Sequence, residues 1–280
     1  MFETLATGYG LIEGPREDSE GRLYFSDVLR GGVYRRGRDG ALETIVPKRR
    51  GVGGIALHAD GGVVISGRNL CHVRDGKTRI LLELEGILGF NDIFTDASGR
   101  VYCGSMVSNP FEMDGARRPG DLFRVDAEGQ AVALYGDVSL SNGIGLLPGG
   151  RTLVHADTAR RHVIAHDLDE AGRAVGRRVF ASLEGSGRAG GPDGLAVDEE
   201  GGVWVALYGG GAVHRYAPDG RLDRVLDVPA RAVTSLCFGG PDRRDLYVVT
   251  ADNTADPSAA GTLFRTRCDL AGLPAPLARI

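Results

Sequence analysis

Four oxygen-bearing side chains stand at matching places along this 280-residue chain: Glu13, Asn91, Asn142 and Asp193. Each opens a short phrase: Glu13-Gly14-Pro15, Asn91-Asp92-Ile93, Asn142-Gly143-Ile144 and Asp193-Gly194-Leu195. Two further phrases, Gly53-Gly54-Ile55 and Thr234-Ser235-Leu236, follow the same grammar without a strong donor. Two carboxylates and two amides, with no thiol or imidazole, form a hard donor set. Such a set suits Ca²⁺, Mg²⁺ or Mn²⁺ better than copper or iron. Taken singly, an Asn or Asp beside Gly signals a turn. Together they would force Glu13 and Asp193 into one desolvated space, which is costly unless a cation joins them.

That convergence requires elements that bring the phrases to one place. The phrases begin at residues 13, 53, 91, 142, 193 and 234, intervals of 38 to 51 residues. After most of them come a few apolar residues, an Asp- and Gly-rich turn and an apolar strand. In the first unit the turn is Asp18-Ser19-Glu20-Gly21 and the strand runs from Arg22 to Asp27. Four short strands per unit at this period predict an all-β protein, a six-bladed β-propeller with four-stranded blades. One blade cannot bury both faces, so neighbours must stack and the ring must close. A strand within Thr4 to Leu11 is expected to complete the last blade as a clasp, making residues 1–280 one domain. A β-sandwich or an open solenoid fits the regular turns less well. In a propeller the innermost strands line a central channel, and the phrase-opening residues would meet at one of its ends.

The composition agrees with a globular chain of many turns. Hydrophobic residues make up 42% and charged residues 25%, and 44 glycines spread along the whole length leave helices little room. A net charge of −4, with short scattered arginine clusters, gives no electrostatic case for nucleic acid. The N-terminal residues lack the basic and apolar regions of a signal peptide, and no apolar stretch is long enough to span a membrane. A cytoplasmic protein is expected, monomeric or weakly self-associating, with Cys71, Cys103, Cys237 and Cys268 as free thiols. The chain has no GxSxG, HExxH, P-loop or dinucleotide fingerprint.

With Phe90-Asn91-Asp92, Ser141-Asn142-Gly143, Pro192-Asp193-Gly194 and Thr234-Ser235…Phe238-Gly239-Gly240 added to the first phrase, the chain resembles the regucalcin (senescence marker protein)/gluconolactonase family. The resemblance runs over nearly the full length, in order. It implies a six-bladed propeller with one divalent cation in the channel, calcium first, with magnesium, manganese or zinc admissible. It makes Glu13, Asn142 and Asp193 the core ligands, with Asn91 a fourth ligand or a holder of substrate and water. It implies hydrolysis of a lactone or related ester by a polarised carbonyl and an activated water. Asp193 is then ligand first and general base second.

The chain also departs from that family. Its sugar lactonases carry Arg two positions before the Asn of the Phe-Asn-Asp phrase, and this chain has Gly89. Losing that planar donor fork predicts a less polar substrate than a typical sugar lactone. Asn109, Phe111 and Met113, in the segment after Met106, are expected over the pocket, with Asn91 and Tyr208 also contacting substrate. His155 and Asp157 share one strand face, either as a base and its orienter or as a buried hydrogen-bonded His. Alternatives are phosphotriester hydrolysis on the same site, a metal-assisted lyase or isomerase, and a non-catalytic calcium-stabilised binding propeller.

Overall fold

The computed structural model describes residues 1–111, 117–251 and 260–280. Among them every regular element is a β-strand, and the strands form six sheets of four. Five sheets are built from consecutive strands. They run from β2 (Ile12–Glu17) to β5 (Leu42–Val46), from β6 (Ile55–Leu57) to β9 (Lys77–Leu82), and from β10 (Gly89–Thr95) to β13 (Ala131–Val138). The next two run from β14 (Ser141–Leu146) to β17 (Ala174–Ser182) and from β18 (Gly191–Val197) to β21 (Leu222–Asp227). The sixth holds β22 (Val233–Gly239), β23 (Asp245–Thr250) and β24 (Gly261–Arg267), and its fourth strand is β1 (Glu3–Tyr9). β1 pairs antiparallel with β24, Glu3 facing Arg265 and Tyr9 facing Gly261, so the clasp forms as the sequence predicts.

The innermost strands contact one another in a closed cycle: β2 with β6, β6 with β10, β10 with β14, β14 with β18, β18 with β22, and β22 with β2. The sheets are therefore the blades of a six-bladed propeller. Its cores lie between blades. Val154 and Val163 of the fourth pack on Leu195, Val203 and Val205 of the fifth. Trp204 and Val213 of the fifth pack on Leu236, Val248 and Phe264 of the sixth. Ile12 and Phe25 of the first meet Val249 and Leu263 of the sixth. Removing one such fully buried side chain costs about 2–5 kcal/mol.

The Asp-Gly turns recur atom for atom. Asp18 Oδ1 accepts the N–H groups of Glu20 and Arg22. Asp96 Oδ1 accepts those of Ser98 and Arg100. Asp198 Oδ1 accepts those of Glu200 and Gly202. In each turn the other oxygen takes a bond from the strand that follows, from Tyr24, Tyr102 or Trp204. The carboxylate thus replaces a backbone turn and pins it to the sheet. Cys71, Cys103 and Cys237 are buried free thiols, and Cys268 is half-buried.

Candidate functional site

Five of the six phrase-opening residues lie in or beside an irregularity at the start of an innermost strand; Gly53, ahead of β6, is the exception. On β10 the pairing with β11 (Val101–Met106) steps from Phe90↔Ser105 to Ile93↔Cys103, so Asn91 and Asp92 fall in a bulge. On β14 it steps from Ser141↔Asp157 to Ile144↔His155, placing Asn142 and Gly143 there. On β18 it steps from Pro192↔Leu207 to Leu195↔Val205, placing Asp193 and Gly194 there. On β2 the shift follows Glu13, and on β22 it spans Thr234. A bulge bends its strand and re-aims the extra side chain. Here the repeated bulge turns polar side chains toward the axis without breaking the apolar alternation beyond it.

The second residue of the phrase explains how strands come close enough for this. A Cβ on Gly14 would stand 2.9 Å from Ile55 N, and one on Gly54 2.5 Å from Ile93 N. On Gly143 it would stand 2.4 Å from Leu195 N, and on Gly194 2.1 Å from Ser235 Oγ. Gly14, Gly54 and Gly143 therefore receive the backbone of the next blade, and Gly194 receives Ser235. The other two second positions are Asp92 and Ser235.

The polar residues do assemble. Glu13, Asn142, Asp193 and Asp92 are all buried, and Asn91 is half-buried. Asn91 Nδ2 donates to Ser141 O and to Asn142 Oδ1, both at 2.9 Å, linking the third blade to the fourth. Asn142 Nδ2 donates to Thr158 Oγ1 at 2.9 Å, and Thr158 donates to Pro192 O at 2.7 Å, beside Asp193. Thr234 closes the ring of contacts by donating to Ile12 O at 2.6 Å. Gly53 carries no donor because none fits: its Cβ would stand 2.2 Å from Asn91 Oδ1.

Burial raises Glu13 well above the ordinary carboxylate range, and the charges of Asp193 and Asp92 add to it; the Gly14 N–H and Arg16 oppose. Asp193 is likewise raised, by burial first and then by Asp92, against the Gly194 N–H. Burial also raises Asp92, which Arg16 and the Ile93 N–H counteract. Asp193 Oδ1 is buried with no hydrogen-bond partner. Such an orphaned oxygen is costly unless something outside the chain meets it. Among the described residues no three His, Cys, Asp or Glu side chains gather as a metal group, so a cation here would rest on Glu13 and Asp193 with amide oxygen from Asn142. The buried, mutually repelling carboxylates and the orphaned oxygen fit a hard dication.

Other expected residues are placed differently. Tyr208, which ends β19 (Val203–Tyr208), is half-buried and packs with Leu11, Ala232 and Ala251, next to the starts of β2 and β22. It stands at the same end of the channel as Glu13. Asn109 Oδ1 accepts the Phe111 N–H at 3.1 Å, and Phe111 is exposed. Met113 lies outside the described residues. His155 and Asp157 are not a base and orienter. His155 bonds Ser141 Oγ at 2.7 Å and Tyr135 OH at 2.9 Å, while Asp157 accepts the N–H groups of Ser139 and Leu140. Gly89 has a backbone reason: its φ is +148°, and its Cβ would stand 2.3 Å from Gly67 O.

The sequence reading missed Asp92, Arg16 and Thr158. Asp92 had a legible signal, since it occupies a position that is Gly in four of the six phrases. Arg16 donates to Ile93 O at 3.0 Å and stands 3.8 Å from Asp92 Oδ1, so it reaches across the channel from the first blade to the third.

A family model described as SMP-30/Gluconolactonase/LRE-like region matches residues 11–252. The 6-deoxy-6-sulfogluconolactonase of Pseudomonas putida is 34% identical over 269 residues, covering 91% of this chain and 90% of that protein. Pentonolactonase XacC of Haloferax volcanii is 32% identical over 282 residues, covering 96% and 94%. Among solved structures, a calcium-binding regucalcin of Agrobacterium tumefaciens matches with a TM-score of 0.85 and 27% identity, covering 99% of this chain and 97% of that one.

Proposed function

The chain belongs to the SMP-30/Gluconolactonase/LRE-like family, and on that footing we propose that it hydrolyses a sugar lactone with one divalent cation held at the Glu13 end of the channel. The observation that carries the reading is the pair of buried carboxylates, Glu13 and Asp193, with Asp193 Oδ1 left without a partner. Glu13, Asn142 and Asp193 would hold the cation, calcium first, with Asn91 beside them. When bound, it supplies Lewis-acid polarisation of the lactone carbonyl.

The remaining work falls to side chains. Asn142 is held by Thr158 and Asn91, so its oxygen faces the site in one orientation. Asp193 accepts the proton of the attacking water as the new C–O bond forms. The tetrahedral carbon then expels the ring oxygen, which takes the proton from Asp193, and a hydroxy acid leaves with Asp193 ionised again. Tyr208 borders the mouth and would flank the ring of the substrate. A substrate less polar than a sugar lactone, the expectation drawn from Gly89, has no support among the similar proteins reported above, of which the Pseudomonas and Haloferax proteins are named as sugar-lactone hydrolases. Backbone packing accounts for Gly89 without reference to substrate.

A turnover screen tests the proposal: aldonolactones, aliphatic lactones, aryl esters and a phosphotriester, each with Ca²⁺, Mg²⁺, Mn²⁺ and Zn²⁺. Aldonolactones should lead, and Asp193→Asn and Asn142→Ala should both abolish most of the rate. Unchanged turnover in both variants would overturn it.

A further inference from the structure

The channel has a second chamber at the end away from Glu13. The innermost strands that open on Asn91, Asn142 and Asp193 continue into a cavity of about 430 Å³. Leu57, Phe94, Leu146, Leu195 and Phe238 form part of its wall. Its size lies within the usual range for small-molecule sites, and such sites are mostly apolar with a few placed polar groups.

The segment at 272–280 closes it from outside. Leu273 N donates to Val197 O at 2.9 Å on the fifth blade, and Ala278 N donates to Leu57 O at 2.8 Å on the second. Arg279 N donates to Gly99 O on the third, so the segment crosses the mouth as a strap, and Leu273 to Pro276 line the cavity. Pro274 and Pro276 have no N–H to leave unsatisfied over an apolar space.

Arg16 and Asp96 are the charged residues of the lining. Asp96 offers nothing: its oxygens are taken by the N–H groups of Ser98 and Arg100, the Arg100 side chain and Tyr102. Arg16 gives one N–H to Pro15 O and one to Ile93 O, keeping others to donate. Its charge already faces Asp92 at 3.8 Å. The inner end of the chamber therefore offers the spare N–H groups of Arg16, with its charge balanced by Asp92 and no free carboxylate in the lining. Thr95, also in the lining, has a buried hydroxyl with no hydrogen-bond partner.

We propose that this chamber is a second ligand site, for a neutral, largely apolar small molecule whose single carbonyl oxygen accepts from Arg16 and whose alkyl portion lies under the strap. Arg16 crosses the channel between the chamber and the carboxylates, so the site is separate from the lactone site and needs no cation. An anion would meet Asp92 and gain little.

The test uses 2-octanone as ligand and the full chain, followed by calorimetry and ligand-observed NMR. Saturable binding of one ketone per chain, equal with Ca²⁺ and with a chelator, is expected. Arg16→Met should weaken it about tenfold, the loss of roughly one charged-donor hydrogen bond. Ala275→Trp, a change on the exposed strap that fills the mouth, should weaken it at least as much while leaving lactone turnover intact. Octanoate should bind about tenfold less well than the ketone. The proposal is overturned by unsaturable binding, by binding that disappears with the chelator, by binding untouched by both substitutions, or by octanoate binding as tightly as the ketone. Because the readout is binding without cation or turnover, its failure leaves the lactonase reading standing, and the reverse.

Discussion

Asn91 gives a side-chain N–H to Asn142 Oδ1 at 2.9 Å, and this bond joins the openings of two adjacent blades. Its second donor hydrogen goes to Ser141 O. The Asn91 amide nitrogen therefore works on its neighbour. It fixes the oxygen that the proposal gives to the cation, as an outer partner orients a ligand.

Asn91→Ala should thus lower kcat/KM about 10- to 100-fold. Its cation affinity should fall less than that of Asn142→Ala. Steady-state kinetics on an aldonolactone and calorimetric cation titration separate the two effects. Equal losses of affinity would make Asn91 a ligand in its own right.

Glu13 and Asp193 crowd one buried space. In the metal-free protein at pH 8, Glu13→Gln should raise the melting temperature, by about 2–4 °C for each kcal/mol relieved. Activity should fall about 10²–10⁴-fold in the same variant and in Asp193→Asn. A lower melting temperature in chelator would mean that the carboxylates are not in conflict.

The pH dependence of the cation-free state follows from the same pair. Both folded carboxyls hold their protons above the unfolded range, so between the two ranges the native state binds more protons. Stability contributed this way is present at low pH and declines as pH rises through the raised values, by up to about 1.4 kcal/mol per pH unit per group. Cation binding displaces those protons, so its affinity should rise over the same window. Calorimetry in buffers of different ionisation enthalpy should register proton release. A binding enthalpy independent of buffer would contradict it.

His155, His166 and His214 act in the opposite direction. Burial, the leading cause, lowers His155 to about 3 and the other two to about 4. The unfolded state therefore binds more protons below the ordinary imidazole range. Stability contributed by these groups is complete above about pH 6.5 and is lost as pH falls toward the folded values. His155→Gln should flatten the fall in urea-unfolding free energy between pH 6 and pH 4, and an unchanged slope would exclude His155 as a source.

Gly194→Ala should destabilise the protein by about 1–3 kcal/mol, since the new methyl meets Ser235 Oγ at 2.1 Å and Ser235 Cα at 2.7 Å. Adding Ser235→Gly should recover part of the loss, which chemical denaturation would measure.

The sequence made the blades legible because the Asp-Gly turns and apolar strands repeat chemically as well as in number. It also singled out Glu13, Asn142 and Asp193, which open their phrases and which the fold buries. What it hid was the reason for the phrase. A glycine that receives the backbone of a neighbouring blade reads like any turn glycine, and the register step from Phe90 to Ile93 leaves no mark in residue type. Gly89 illustrates the hazard. Read as a missing arginine it pointed to the substrate, yet its close approach to Gly67 is a contact between blades that no local pattern announces. Asp92 and Arg16 escaped for a related reason: their meeting joins residues far apart in sequence across the hole of the ring.

The pairing of β1 with β24 has a consequence for how the protein is made. Glu3 must find Arg265 before the sixth sheet is whole, so this sheet depends on a contact between residues 262 positions apart. Contacts of such separation fold slowly, because the loop entropy is lost before the contact is gained. A nascent chain would carry β1 unpaired until β24 has been made. Its blades can form as they appear, but the ring can shut only once residues beyond Gly261 are free.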